Sequence, residues 1–245
     1  MSHPASTHEH LSSLTHVWRV DDLAREESTT PTGHPLLDGC LPGGGWPTGH
    51  LIELLQPRPE AHVWQLLLPG LARTLLGTSG PIVLVGAPQL PFMPALHAMG
   101  IPSSRLLRVQ SDRPMALAWA TEQALRCADV AAVLAWLPQA EPAQLRRLQV
   151  SAGQQRHLLF VMRNAQAQRQ ATPARLRLLL GGQEEIMEVR VLKRRGPPMD
   201  APIHLPAWPM RLQDLVQARR RHSLLQPVPT MARRSHVLDR TLAIS

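Results

Sequence analysis

The sequence predicts an α/β fold with a mostly parallel sheet flanked by helices and a C-terminal antiparallel hairpin. Three observations carry this. "VAAVLAW" (130–136) and "HLLFVM" (157–162) are continuous apolar runs, as in parallel strands buried on both faces. Stretches of helical periodicity, several opened by proline, separate such runs and give a βαβ alternation. Past residue 172 the pattern changes: "ARLRLLL" (174–180) and "EEIMEVRVLKR" (184–194) alternate like more exposed strands and are joined by Gly181-Gly182, a hairpin signal.

Taken in order, residues 11–27 read as an amphipathic helix with Leu11, Leu14, Val17 or Trp18, and Leu23 on one face. It would pack on its own core or on a partner. Residues 28–35 break it, and Gly-rich turns at 32–50 lead into an apolar strand, Leu51 to Leu55. A helix follows from near Glu60 to Leu76, apolar at Val63, Leu66, Leu67, Leu71 and Leu75. Then come a strand at 81–85, a short Pro-started helix ended by Gly100, a strand at 106–110 and a helix from Pro114 to Cys127. Strand 130–136, a helix from Glu141 to Gln155 with Pro142 at its start, and strand 157–162 complete the alternation. "APIHLP" (201–206) adds a last short strand after the hairpin. Beyond Arg211 there is one short helix (212–222), then Pro227, Pro229 and a polar tail. The organisation expected is an arm at 1–30, one domain at 31–210 and a basic tail at 211–245, with no internal repeat.

The chain is basic, with a net charge of +8, and 44% of it is hydrophobic, enough for a real core. Aromatics are only 3%, so Leu, Val, Ala and Met must fill that core. Of the 26 Lys+Arg residues only Lys193 is lysine. A GC-rich genome accounts for such a bias. Positive charge suits an anionic partner, nucleic acid first, and equally a generally basic protein. Cys40 and Cys127 have no metal-like spacing and read as buried thiols in a reducing cytosol. No apolar run approaches membrane-spanning length, so a cytoplasmic protein with no membrane partner is expected. His3, His8, His10 and His16 are irregularly spaced and suit a solvated arm better than a metal site.

Gly-rich turns, a buried strand, a loop and a helix are how a nucleotide-binding core begins. A phosphate-cradling loop needs glycines to turn backbone N–H groups inward, a lysine for the β/γ-phosphates and a Ser/Thr hydroxyl for Mg²⁺. The loop here, "QPRPEAHVW" (56–64), has none of these. The run Thr32, Gly33, Leu37, Asp38, Leu41, Gly43, Gly44, Pro47, Gly49, Glu53, Pro57 resembles the lead of RecA-type proteins and, more closely, of the ImuA family. Where that family pattern continues into its loop, this chain has Gln56, Ala61, His62 and Val63. The likeness extends over about 30–206, closest at 32–57 and 186–195.

The resemblance implies a RecA-like domain without nucleotide chemistry. The strand Val130 to Leu134 ends in Ala135-Trp136-Leu137-Pro138, with no carboxylate to hold Mg²⁺, and Asp129 and Glu141 stand too far away. Asn164 echoes a nucleotide-sensing amide or is simply a strand-exit turn residue. No cofactor, no metal and no catalysis are expected. His50 and His62 have no nucleophile at recognisable spacing.

Function must then lie in surfaces. The resemblance implies an accessory protein of SOS-induced translesion DNA synthesis. Its partners would be an ImuB-type inactive Y-family polymerase homologue, an error-prone DNA polymerase and, as a further candidate, RecA. The place of Arg163 to Arg177 resembles that of the RecA loop that touches single-stranded DNA. Arg163 and Arg169 suit phosphate contact, the absence of aromatics weakens that reading, and a solvated loop is the plain alternative. Residues 188–206 resemble the RecA strand whose basic residues reach a neighbouring subunit's nucleotide; Lys193 and Arg195 would be those residues, and here suit an anionic partner surface or a charged strand end. The tail, with Arg219, Arg220, Arg221, Arg233 and Arg234 around Leu224-Leu225 and Pro-Val-Pro, suits a motif that orders on a partner, or weak polyanion binding. The alternative family likeness is to SulA-type division inhibitors, which bind the tubulin-like division protein.

Overall fold

The computed structural model describes residues 28–58, 62–89, 91–183 and 185–207. The expected arm helix (11–27), the helix at 212–222 and the tail arginines lie outside the described residues.

The chain enters through a two-stranded ribbon, β1 (Thr29–Thr30) against β2 (Trp46–Pro47). Between them lie a one-turn helix α1 (Pro35–Asp38) and a 3₁₀ turn (Pro42–Gly44). The glycines of this lead permit close approach. A Cβ on Gly33, which has φ +84°, would stand 2.4 Å from Pro69 Cβ, and one on Gly45 would stand 2.3 Å from the Thr30 carbonyl oxygen. The ribbon is thereby pressed onto α2 (Val63–Leu76).

Among the described residues the main sheet has eight strands. In chain order they are β3 (Leu51–Gln56), β4 (Ile82–Val85), β5 (Leu106–Val109), β6 (Ala132–Trp136), β7 (Leu158–Asn164), β8 (Leu176–Gly182), β9 (Ile186–Lys193) and β10 (Ile203–Pro206). The spatial order is β10-β9-β8-β3-β7-β6-β4-β5. From β8 to β5 every pairing is parallel, and β9 and β10 add antiparallel at the other edge. This is the expected mixed α/β architecture with its hairpin, consistent with a RecA-like core.

Helices cover both faces. On one, Leu66, Leu67 and Leu71 of α2 and Leu96 of α3 (Met93–Ala98) pack against Ile52, Leu54, Leu134 and Phe160. On the other, Leu125 of α4 (Pro114–Arg126) and Leu145, Leu148 and Ala152 of α5 (Pro142–Gln155) pack on Leu51, Val83, Val133 and Val161. Burial on both faces explains why β3, β4 and β6 are apolar without alternation. Helix α5 starts with a capping box in which Glu141 caps and Gln144 Oε1 accepts the Glu141 N–H at 2.8 Å, satisfying first-turn donors reciprocally. Glu141 therefore has a helix-starting role, and Asp129 accepts from Ser79 Oγ near the opposite, N-terminal end of β6.

Two expectations need correction. Residues 174–180 are not an exposed strand: Leu176, Arg177, Leu178 and Leu180 are buried, because β8 lies inside the sheet between β3 and β9. Neither cysteine is buried; Cys40 is half-buried and Cys127 is exposed, both as free thiols. Cys127 follows the last residue of α4, where the chain turns outward.

Candidate functional site

In an open parallel sheet, ligands bind outside the carboxyl ends of the strands. Here that edge carries a cleft of about 240 Å³. Gln56 closes β3, Trp136 closes β6, and Met162, Arg163 and Asn164 close β7; Leu117 of α4 and Pro138 complete the wall. Gly86 lets the walls meet, since a Cβ there would stand 3.0 Å from Leu117 Cδ1 and 3.1 Å from the Trp136 carbonyl oxygen. A second cavity of about 110 Å³ adjoins it, sharing Leu117 and Pro138.

Trp136 gives the cleft its character. It closes β6 and packs on Trp64 of α2 with ring centroids 6.0 Å apart. Its Nε1–H is buried and has no hydrogen-bond partner among the described residues. An orphaned buried donor of this kind costs about 1–3 kcal/mol. In the connection to α2, Gln56 Nε2 donates to the Arg58 carbonyl at 3.1 Å. His62 takes a left-handed conformation (φ 57°) immediately before α2, which has no side-chain cap, and Val63 points into the core at 1% exposure. Ala61 lies outside the described residues. His50 neighbours Gln149 at the N-terminal end of β3, so it shares no site with His62.

Beneath the cleft lies a charged group that sequence reasoning missed. Glu53, fully buried, sits between Arg163 of β7 and Arg177 of β8, each about 5% exposed. Arg163 Nη1 donates to Glu53 Oε1 at 2.9 Å. Arg177 Nε lies 2.8 Å from Glu53 Oε2, an ion pair whose N–H direction misses the oxygen, and its Nη2 reaches Oε1 at 3.4 Å. The remaining guanidinium donors organise the following turn. Arg177 donates to the carbonyls of Ala167 (2.7 Å), Gln170 (2.9 Å) and Gln168 (3.2 Å). Arg163 donates to Gln170 Oε1 (2.7 Å) and the Ala140 carbonyl (3.1 Å). The signal that could have revealed this was Glu53 itself, a carboxylate within a buried apolar strand, which demands a cation.

Arg163 is thus corrected from a surface contact to a buried structural cation. Arg169, at the end of the 3₁₀ turn Ala165–Arg169, is exposed. Asn164 Oδ1 accepts the Gln166 N–H at 2.9 Å, the strand-exit role. Lys193 is the register partner of Arg177 across β8 and β9, and its Nζ donates to the Thr172 carbonyl at 3.0 Å. The structure therefore brings Lys193 onto the 163–177 segment. Burial, and next the charges of Arg177 and Arg175, lower the Lys193 pKa. Arg195 lies apart, beside Arg175, Arg194 and the Leu41–Pro47 turn. The tail arginines Arg219, Arg220, Arg221, Arg233 and Arg234 are outside the described residues. Among the described residues no His/Cys/Asp/Glu group could hold a metal, and no helix is long and apolar enough to cross a membrane.

No protein-family model matches the chain. It is 32% identical over 135 residues to Protein ImuA of Caulobacter vibrioides, in strain NA1000 / CB15N and equally in strain ATCC 19089 / CIP 103742 / CB 15. The match covers 50% of this chain and 54% of each relative, so the chain spans about half the length of the curated relatives it matches. The chain is therefore similar to ImuA proteins across that half.

Proposed function

We propose that this protein is a non-catalytic accessory factor of SOS-induced translesion DNA synthesis and works by protein contacts. The observation that carries the reading is the C-terminal edge of the sheet. Residues 56–64, which follow β3 in the sequence, hold no glycine, lysine, serine or threonine, and β6 ends in Trp136 rather than in a carboxylate. Phosphoryl transfer depends almost wholly on positioned cations and donors, so such a site favours a role without hydrolysis. Similarity to ImuA supports the translesion context. The partners in this reading are an ImuB-type inactive Y-family polymerase homologue, an error-prone polymerase and RecA, with weak DNA contact through basic segments.

The test is affinity capture of the tagged chain from DNA-damaged cells, with a form truncated after Met210 in parallel. Recovery of polymerase-like proteins or RecA supports the reading, and their loss on truncation assigns the contact to the tail. Recovery of the tubulin-like division protein instead would replace it with a SulA-like division inhibitor.

A further inference from the structure

The outer surface of α4 and α5 is apolar and basic at once. Trp119 of α4 is 64% exposed and Met115, one turn before it, 67%. The other described tryptophans, Trp46, Trp64 and Trp136, are buried or half-buried. Gln144 Nε2 of α5 donates to Met115 Sδ at 3.1 Å, and Gln144 also lines the 110 Å³ cavity beside Leu117 and Pro138. The helices join β5 to β6 and β6 to β7, all parallel, and so run in the same direction. One turn beyond the Gln144–Met115 contact, Trp119 therefore comes level with Arg147 of α5. Arg113, Arg146 and Arg147 are exposed and have no ion-pair partner among the described residues, while Glu122 is already paired with Arg126 at 2.6 Å and Glu141 caps α5. Such a face asks for apolar side chains flanked by carboxylates.

The chain carries a segment of that chemistry. Although its net charge is +8, residues 9–27 hold Glu9, Asp21, Asp22, Glu26 and Glu27 against Arg19 and Arg25, with Leu11, Leu14 and Trp18 at helical spacing. The described structure begins beside α5. The Ser28 carbonyl accepts the Thr48 N–H at 2.9 Å, the Gly49 N–H donates to the His157 carbonyl at 2.9 Å, and a Cβ on Gly49 would stand 3.3 Å from Cα of Arg156, which ends α5.

We infer that residues 11–27 bind as a helix along α4 and α5 of the same chain, running from the Arg156 end toward Met115. The lengths agree. At about 1.5 Å per helical residue, Asp21 and Asp22 come about 10 Å from Ser28, and Arg147 lies about 13 Å from Arg156. On the same scale Trp18 and Leu14 come at about 15 and 21 Å, and Gln144, which holds Met115, at about 18 Å. The two aspartates thus meet Arg147, Trp18 and Leu14 cover Trp119 and Met115, and Leu11 reaches the 110 Å³ cavity. Tryptophan, methionine and arginine are the residues enriched at interface cores, and this surface opens when the arm leaves it. The inference does not depend on the translesion reading.

The test follows the six tryptophan indole N–H resonances of the ¹⁵N-labelled full chain, with Trp119 assigned by its loss in Trp119→Phe. A soluble gadolinium chelate broadens indoles that solvent reaches. It should broaden Trp119 at least about threefold more in Leu14→Glu, and in the double change Asp21→Lys with Asp22→Lys, than in the parent chain. Arg147→Glu should release Trp119 likewise. Arg73→Glu, the same charge change on an exposed residue of α2 across the sheet, should leave it protected. A Trp119 as open in the parent as in the arm variants overturns the inference and leaves the face to a partner. Protection that survives Arg147→Glu, or that Arg73→Glu removes equally, overturns the placement. Protection lost on dilution assigns the contact to the arm of a second copy and overturns the same-chain assignment.

Discussion

Glu53 of β3 and Arg163 of β7 meet at 2.9 Å with side chains 0% and 3% exposed, a salt bridge wholly inside the sheet. Arg163 lies two positions beyond Val161, the register partner of Glu53, so its guanidinium reaches back diagonally to the carboxylate. Arg177, the register partner on the other side, closes the group.

Removing the carboxylate leaves two buried guanidiniums uncompensated. Glu53→Gln should cost about 3–5 kcal/mol of unfolding free energy in urea titrations. Arg177→Met leaves the Glu53–Arg163 pair matched and should cost less, although three turn carbonyls lose donors. A smaller effect for Glu53→Gln than for Arg177→Met would contradict the assignment of Glu53 as the sole counter-charge.

His34 sets an acid limit. Burial lowers its pKa below the ordinary 6.5, and Nε2 approaches the Leu66 carbonyl oxygen at 3.2 Å. The fold thus prefers neutral imidazole, and the unfolded chain takes up the proton first. Stability is fully present above about pH 6.5 and falls as pH drops below it. Thermal melts at pH 7.5 and 5.5 should show the loss, and His34→Gln should reduce the difference.

Lys193 is the chain's single lysine side chain. Its lowered pKa, caused first by burial and then by Arg177 and Arg175, makes more free amine at a given pH. Acylation near pH 8 should modify Lys193 faster than a model lysine, read by peptide mass spectrometry. Protection of Lys193 on adding oligonucleotide or a captured partner would locate the contact; an unchanged rate would exclude Lys193 from it.

If the basic segment touches single-stranded DNA, affinity must fall with salt. Arg169→Ala and Lys193→Ala should each lower the salt slope by about one phosphate contact. A flat salt response in the parent chain removes DNA from the reading.

Mg-ATP should leave the melting temperature unchanged, because a ligand shifts it only by binding the native state. A rise with increasing ATP would show that the native chain binds nucleotide and would remove the basis for a non-catalytic role.

By itself the sequence determined the order and type of the elements. Continuous apolar runs of strand length between helical stretches read as strands buried on two faces, and Pro142 marks a helix start, so β3, β4, β6, β7, α4 and α5 were legible. It also showed that residues 56–64 hold no glycine, lysine, serine or threonine. It misread β8 as exposed, because Arg177 looks like a surface residue until its neighbour is known. Only the tertiary structure decided that Glu53 shares one buried site with Arg163 and Arg177, which lie 110 and 124 residues further along the chain, and that Trp136 ends beside Leu117. Strand order is a long-range choice set by packing across the whole sheet, and local pattern carries no record of which buried charge will lie beside which. The burial of Arg163 follows from that choice, as does the availability of Arg169 and Lys193.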